Sequence, residues 1–281
     1  MKFACADFTF PLLRHDAVLT LISMMGFNGV DIGMFEGRSH LQPSNQFVGD
    51  IAQNARALRE KTENRGLEIA DIFLQTALDF KQYAVNHPDK PRREKSREIF
   101  LKCLEYTAEC GCKHMSALPG VYFDGIDPGE SYGLCCEELA YRCEQAKKSG
   151  IVFSVEAHIG SIVPSPESAL RLTGDVPGLT LTLDFTHFIR VGIKTPEGLP
   201  LVKKASHFHA RGAANGMLQA ILSENTIDYR AIIKEMRKTK YNGFIGVEYT
   251  WQEWENCNRV DNVSESILMM DHLKNLLAEG K

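Results

Sequence analysis

Residues 151–158, IVFSVEAH, decide the fold. A short run of β-branched and aromatic residues predicts a buried strand, and the run stops at Glu156, with His158 two positions later. Three later stretches repeat this order: LTLTLD ends at Asp184, ASHFH ends at His209 and FIGVE ends at Glu248. In each case a strand-like run stops at a side chain that can bind a metal ion.

The spacing of these stretches predicts a barrel. Their terminal residues follow one another at intervals of 28, 25 and 39 residues, close to the roughly 30 residues of one strand-and-helix unit in an eight-unit barrel. Four strand-like stretches in the first half continue the alternation: KFACADF, GVDI, LEIADIFL and HMSAL. Eight units without a composition shift predict one α/β domain over residues 1–281, a (β/α)8 TIM barrel with a closed parallel sheet.

The intervening segments supply the predicted helices. Glycines mark the ends of the first two, at Gly26 and Gly66, and Asp228 occupies an N-cap position before YRAIIKEMRKT. Segment 76–93 is long, polar and contains two prolines, so we expect a functional or disordered loop. The helices are expected at 16–25, 47–65, 94–110, 131–148, 165–172, 196–204, after Asp228, and 264–277.

The bulk properties exclude several classes of protein. The net charge of −4 over 281 residues gives no electrostatic signature for nucleic acid or an anionic membrane. No apolar run has the length of a membrane span, and no basic segment with an apolar core precedes the first strand. The eight cysteines lack the spacing of a zinc ribbon, so we expect a reducing, cytoplasmic location. GxGxxG and Walker-type motifs are absent from the sequence.

Taken singly, each of the four strand-terminal residues has an ordinary structural explanation, such as a helix cap or a buried histidine. Together they predict a metal site, because the carboxyl ends of parallel barrel strands meet at one face. Without a cation, three carboxylates would repel one another in a partly desolvated cup. Three carboxylates and one imidazole favour a hard or borderline ion with open positions. We expect Mn²⁺ first, with Mg²⁺, Co²⁺ or Zn²⁺ as alternatives.

The motifs VEAH, LDFTH, HFHAR and GVEY resemble those of the xylose-isomerase-like TIM-barrel superfamily, whose members include ketose 3-epimerases and inosose isomerases or dehydratases. The resemblance covers essentially the whole chain. It implies that Glu156, Asp184, His209 and Glu248 bind the metal, and that Glu156 and Glu248 also move the protons. It further implies a dimer or tetramer.

Other side chains are candidates for substrate contact. The resemblance assigns His187 and Arg211 to the substrate, whereas His158 departs from the epimerase pattern and is either an acid/base or a neighbour of the metal ligands. Trp251 and Trp254 could stack on a sugar, although such aromatics more often pack a subunit interface. Phe8, Phe35 and His40 could wall the pocket. The run RGAANG after Arg211 lacks a convincing phosphate nest, which favours an unphosphorylated substrate.

The predicted function is isomerisation or epimerisation of a small ketose, keto-sugar or cyclitol through an enediolate. The alternative is a metal-dependent lyase or dehydratase acting on a keto-inositol, dehydroshikimate or 3-keto-glycoside, and His158 could supply its acid. A phosphodiester-cleaving endonuclease needs histidines at the ends of strands three and four, where Gln75 and Leu118 stand. A non-catalytic sugar-binding protein would be expected to lack one of the carboxylates.

Overall fold

Eight short apolar runs form parallel strands that close into a barrel in the computed structural model, which describes residues 1–279. This confirms the predicted (β/α)8 architecture. Around the barrel the order is β1, β10, β7, β6, β5, β4, β3, β2. The barrel strands are β1 (Lys2–Ala6), β2 (Gly29–Phe35), β3 (Glu68–Gln75), β4 (His114–Ala117), β5 (Val152–Glu156), β6 (Thr180–Asp184), β7 (Ala205–Ala210) and β10 (Phe244–Val247).

Helices follow the strands and cover the outside of the barrel. The α-helices are α1 (His15–Met24), α2 (Pro43–Gln46), α3 (Ile51–Glu63), α4 (Lys90–Glu109), α5 (Pro128–Lys148), α6 (Pro166–Asp175), α7 (Thr186–Arg190), α8 (Thr195–Gly198), α9 (Tyr229–Lys238) and α10 (Asn262–Ala278). The predicted caps hold: Gly26 and Gly66 adopt positive φ angles of 85° and 67°, and the Asp228 carboxylate accepts a hydrogen bond from the Ala231 N–H.

The structure refines the sequence predictions in several segments. The predicted helix at 47–65 begins only at Ile51, and 196–204 is a single α-turn followed by a 3₁₀ helix over Leu199–Lys204. RGAANG, in which the sequence showed no convincing phosphate nest, begins a hairpin of β8 (Gly212–Ala214) and β9 (Met217–Ala220). Segment 76–89 is a folded run of turns in which Ala84, Val85 and Asn86 are buried.

The barrel interior is polar on its axis. His207 in β7 faces Asp31 in β2, with 3.0 Å between Nε2 and Oδ2, and His114 in β4 faces Asp71 in β3 at 2.6 Å. Three buried hydroxyls complete the layer; they belong to Ser116, Ser154 and Thr182. Each carboxylate therefore has an imidazole partner, which is how proteins tolerate such groups in their interior.

Gly246 in β10 leaves room for this layer. A Cβ at this position would lie 3.1 Å from His207 Nε2 and would overlap the Asp31 carboxylate. We expect Gly246→Ala to lower the free energy of unfolding by about 3 kcal/mol, since overpacking forces such groups off their rotamers. Gly174→Ala in α6 is the control, because no atom lies within 4 Å of the added methyl. Urea unfolding curves of equal midpoint for the two variants would contradict the prediction.

The barrel has a cavity at each end. The one at the amino ends of the strands, of about 870 Å³, is lined by helix ends and by residues such as His114, Ser206 and Tyr241. In barrels of this kind that face contributes stability, and the chemistry takes place at the opposite face. Among residues 1–279, no helix combines the length and the apolar character that crossing a bilayer requires. All eight cysteines are free thiols.

Candidate active site

The four predicted metal ligands meet at the carboxyl ends of consecutive barrel strands. Glu156 ends β5, Asp184 ends β6, His209 lies one residue before the end of β7, and Glu248 directly follows β10. Their exposed fractions are 5%, 0%, 1% and 6%. Four ionisable side chains are thus buried at one face, although they are separated by up to 92 residues in the chain.

His209 is the centre of the cluster. Its Nδ1 lies 2.8 Å from Glu156 Oε1 and 3.3 Å from Glu248 Oε2. One ligand atom from each of these three residues lies within 4.8 Å of the others. On the far side of the ring, Nε2 lies 3.9 Å from Asp31 Oδ2 in the axial polar layer.

Asp184 lies to one side of this group. Its carboxylate accepts hydrogen bonds from the Thr186 N–H and hydroxyl, both at 2.8 Å, and from Arg211 Nη2 at 3.1 Å. It shares a second cluster of ligand atoms with Glu156 and His187. Glu156 belongs to both clusters and so links the four predicted ligands.

The pKa values of the buried ionisable groups in the cluster are shifted in different directions. Burial opposes ionisation of Glu156, but the hydrogen bond and the positive charge of His209 hold its pKa at about 2. Burial likewise opposes protonation of His209, yet Glu248 and Glu156 together raise its pKa to about 10. For Glu248 burial prevails over the attraction of His209 and raises the pKa to about 7.

These residues fit a divalent cation. Glu248 Oε2 is buried and has no hydrogen-bond partner, so it can accept a ligand at little cost. His209 and Arg211 form ion pairs with the three carboxylates, and His187 Nε2 lies 3.6 Å from Asp184 Oδ2. Oxygen-rich sets with one imidazole suit Mn²⁺, Mg²⁺ or Co²⁺. The donor set therefore fits a divalent cation of this kind.

A cavity of about 370 Å³ opens above the cluster, a volume suited to a small ligand. Glu156 and Glu248 line it, whereas Asp184 and His209 are not among its lining residues. The aromatic and aliphatic part of its wall comprises Phe8, Phe35, Phe73, Leu78, Phe80, Leu118, Trp251 and Trp254. Four of the sequence candidates, Phe8, Phe35, Trp251 and Trp254, are therefore wall residues; His40 is not among them.

His158, His187 and Arg211 also line the cavity. His158 Nδ1–H donates to the Ile159 carbonyl at 2.6 Å, which leaves a buried Nε2 without a partner. Burial lowers the pKa of His158, and it lowers the pKa of His187 to about 4. Arg211 donates to the Glu248 carbonyl at 3.1 Å as well as to Asp184, so its guanidinium braces the carboxylates.

The sequence analysis did not propose Arg38 or Gln75 as site residues, although it placed Gln75 at the end of strand three. Arg38 follows β2 and lies over the rings of Phe35 and Phe80, 4.9 Å and 5.6 Å from their centroids. It also bonds to the side chain of Gln75, the last residue of β3, and both line the cavity. In the sequence, only their positions could have indicated a role in the site. Gln75 ends a strand and Arg38 lies in the loop after one, and both positions face the active-site end of such a barrel.

The fold and the site define a class: a (β/α)8 barrel with a carboxylate–histidine cluster under a cavity at the carboxyl ends of its strands. A family profile described as "Xylose isomerase-like TIM barrel" matches residues 19–273. The chain therefore belongs to the xylose isomerase-like TIM-barrel family, as the sequence motifs predicted. A search of curated protein sequences gave no match.

Solved structures similar to the chain include sugar epimerases and a dehydratase. D-Psicose 3-epimerase from Clostridium cellulolyticum H10 matches with a TM-score of 0.81 at 12% identity, over 99% of each chain. A 3-keto-D-glucoside 4-epimerase from E. coli gives 0.74 at 16% identity, over 98% of this chain and 99% of that one. A probable 3-DHS dehydratase from Bacillus anthracis gives 0.70 at 18% identity, with the same coverage. At these identities the likeness establishes the fold.

Proposed function

We propose that the chain is a divalent-metal-dependent epimerase or isomerase of a small ketose, keto-sugar or cyclitol. The observation that carries this proposal is that Glu156 and Glu248 line one cavity and both face His209 Nδ1, at 2.8 Å and 3.3 Å. Two carboxylates in one pocket are what proton removal and return at a single carbon require. The similarity to ketose and keto-glucoside epimerases supports it.

In this proposal Glu156 and Glu248 exchange the proton on the carbon beside a carbonyl, one as base and the other as acid. Asp184 and His209, together with the two glutamates, would hold the cation, and a bound divalent cation would supply Lewis-acid polarisation of the substrate carbonyl. Arg211 holds Asp184 and the Glu248 backbone in place. His187 and Arg38 are available to substrate hydroxyls in the cavity, and Trp251 to a sugar face.

The test is a panel of ketoses and 3-keto-glycosides incubated with the Mn²⁺-loaded full chain in D₂O. Deuterium incorporation at one carbon, with no loss of water or of any other group from the substrate, supports epimerisation or isomerisation. Loss of water or of an aglycone supports elimination instead. Absence of both across the panel, with Mn²⁺ bound, would overturn the enzymatic assignment for these substrate classes.

Elimination is the second candidate, and His158 is the observation that favours it. The unpartnered Nε2 of His158 lines the same cavity as the two glutamates. With the ring proton on Nδ1, Nε2 can accept the proton taken from the substrate carbon and then deliver it to the leaving oxygen. The similarity to a probable dehydratase points the same way. An endonuclease is disfavoured because the wall residues at the carboxyl ends of β3 and β4 are Gln75 and Leu118 rather than histidines.

The variant His158→Asn separates the two candidates. Asparagine can keep the hydrogen bond to the Ile159 carbonyl while it removes the Nε2 position. For an eliminating enzyme we expect kcat to fall by about 10²–10⁴-fold, the usual range for a general acid. For an epimerase we expect less than a roughly fivefold change, because proton transfer by the glutamates is intact. Steady-state kinetics on the substrate found in the panel measures the difference.

A further inference from the structure

A second cluster of metal-ligating side chains lies on the β1 side of the same barrel face. Asp7 directly follows β1, His15 is the first residue of α1, and His40 lies in the loop after β2. One ligand atom from each lies within 4.8 Å of the other two. No residue of this cluster belongs to the Glu156–Asp184–His209–Glu248 site.

Two of the three side chains are oriented by a second contact. Asp7 is fully buried, and its Oδ1 accepts a hydrogen bond from the Gly33 N–H at 2.8 Å, which directs Oδ2 towards His15. His40 Nε2–H donates to the Leu13 carbonyl at 2.9 Å. Metal-binding imidazoles and carboxylates are commonly held in this way, by a carbonyl or N–H on the side away from the ion.

The hydrogen bond to Leu13 fixes the tautomer of His40. With the proton on Nε2, Nδ1 of the neutral ring carries the lone pair, and this atom is buried without a hydrogen-bond partner. A buried acceptor left unsatisfied costs about 1–3 kcal/mol. A hydrogen bond between Asp7 and His15 accounts for the contact of these two side chains. It does not account for the imidazole of His40, whose ring centroid lies 5.1 Å from that of His15.

The distance between the His15 and Asp7 ligand atoms suits a tetrahedral ion. His15 Nε2 and Asp7 Oδ2 are 3.1 Å apart, and two ligands of a tetrahedral Zn²⁺ are about 3.3 Å apart when each bond is about 2.0–2.1 Å. The donor set also differs from that of the principal site. Two imidazoles and one carboxylate favour Zn²⁺, whereas three carboxylates and one imidazole favour a harder ion.

We propose that Asp7, His15 and His40 form a separate Zn²⁺-binding site that clips the β1 loop, α1 and the β2 loop together at the rim of the cavity. His15 would bind through Nε2 and His40 through Nδ1, and the partly exposed side of the cluster leaves a fourth position to water. This zinc site would connect the segments that carry Phe8, Phe35 and Arg38, three residues of the cavity wall. Its role is to stabilise that wall.

The test uses the full chain carrying Asp184→Asn and Glu248→Gln, so that zinc at the principal site does not obscure the result. In this background we expect one tightly bound zinc by elemental analysis after dialysis. Adding His40→Gln keeps an amide near the Nε2 position for Leu13 and removes Nδ1. Zinc affinity should then fall by more than about 100-fold. Loss of a group that only hydrogen-bonds to a metal ligand already lowers metal affinity by about 10–100-fold, and His40 would be a ligand itself.

His15→Asn, which removes Nε2, should give the same loss and serves if His40→Gln does not fold. His272→Gln is the matched control, since this partly buried histidine lies in α10 against Tyr229, outside the cluster, and should keep the zinc. Zinc at about 100-fold excess over Kd should also raise Tm by about 5 °C or more in the background protein and in its His272→Gln control, but not in the His40→Gln or His15→Asn proteins. A background protein without zinc, or one whose zinc survives both histidine changes, would overturn the proposal. Neither result depends on turnover, so the proposed function stands or falls separately.

Discussion

Glu248→Gln is expected to abolish turnover while the protein remains folded. Gln has the shape of Glu but neither accepts nor returns a proton at neutral pH, and it is a weaker ligand for a hard cation. We expect kcat to fall by at least about 10³-fold. The fold should persist because Glu248 Oε2 has no hydrogen-bond partner to lose and the backbone N–H of residue 248 still bonds to Ala210. Deuterium exchange into the substrate, followed by NMR, measures the loss.

Glu253→Gln is the matched control for this experiment. Glu253 lies exposed in the same loop, five residues further on, and has the same charge. Its replacement should leave kcat within about twofold of the wild type. Normal turnover by the Glu248→Gln protein would show that Glu248 does not act as acid or base, and would contradict the proposed mechanism.

Removal of divalent metal is the second large effect expected. Three carboxylates lie around His209 and Arg211, and substrate polarisation is assigned to the cation rather than to either of these groups. Dialysis against a chelator should therefore reduce turnover by more than about 10²-fold, and Mn²⁺ should restore it. Activity with increasing Mn²⁺ gives the apparent affinity of the site.

Asp184→Asn is the comparison for metal restoration. The amide can still interact with Thr186, but it loses the ionised oxygen that Arg211 contacts at 3.1 Å. We expect this variant to need more than about tenfold higher Mn²⁺ for half-maximal recovery. Full activity in the chelated wild type, with its metal content verified as negligible, would show that catalysis does not need the cation.

The residues that were identified and those that were missed differ in one respect. Glu156, Asp184, His209 and Glu248 are metal-ligating residue types at the ends of strand-like runs, so local pattern was enough to place them at one barrel face. Arg38 lies in a loop, and Gln75 ends a strand but is not a typical metal-ligating side chain, so neither carries a distinctive motif. The pairing of β2 with β3, in which Phe35 is the partner of Gln75, brings the two together. His207 and His209 also look alike in ASHFHA, yet one pairs with Asp31 on the barrel axis and the other faces Glu156.

The sequence by itself determined the barrel, its strand ends and the four acidic and imidazole side chains, because strand periodicity and parallel connectivity are encoded locally. The tertiary structure decided which of these side chains face one another. It set the unequal environments of Glu156 and Glu248, and it placed Asp7, His15 and His40 together from three separate elements. The physical reason is that distances between side chains of different strands depend on the barrel register and the loop paths, which are properties of the whole packed chain.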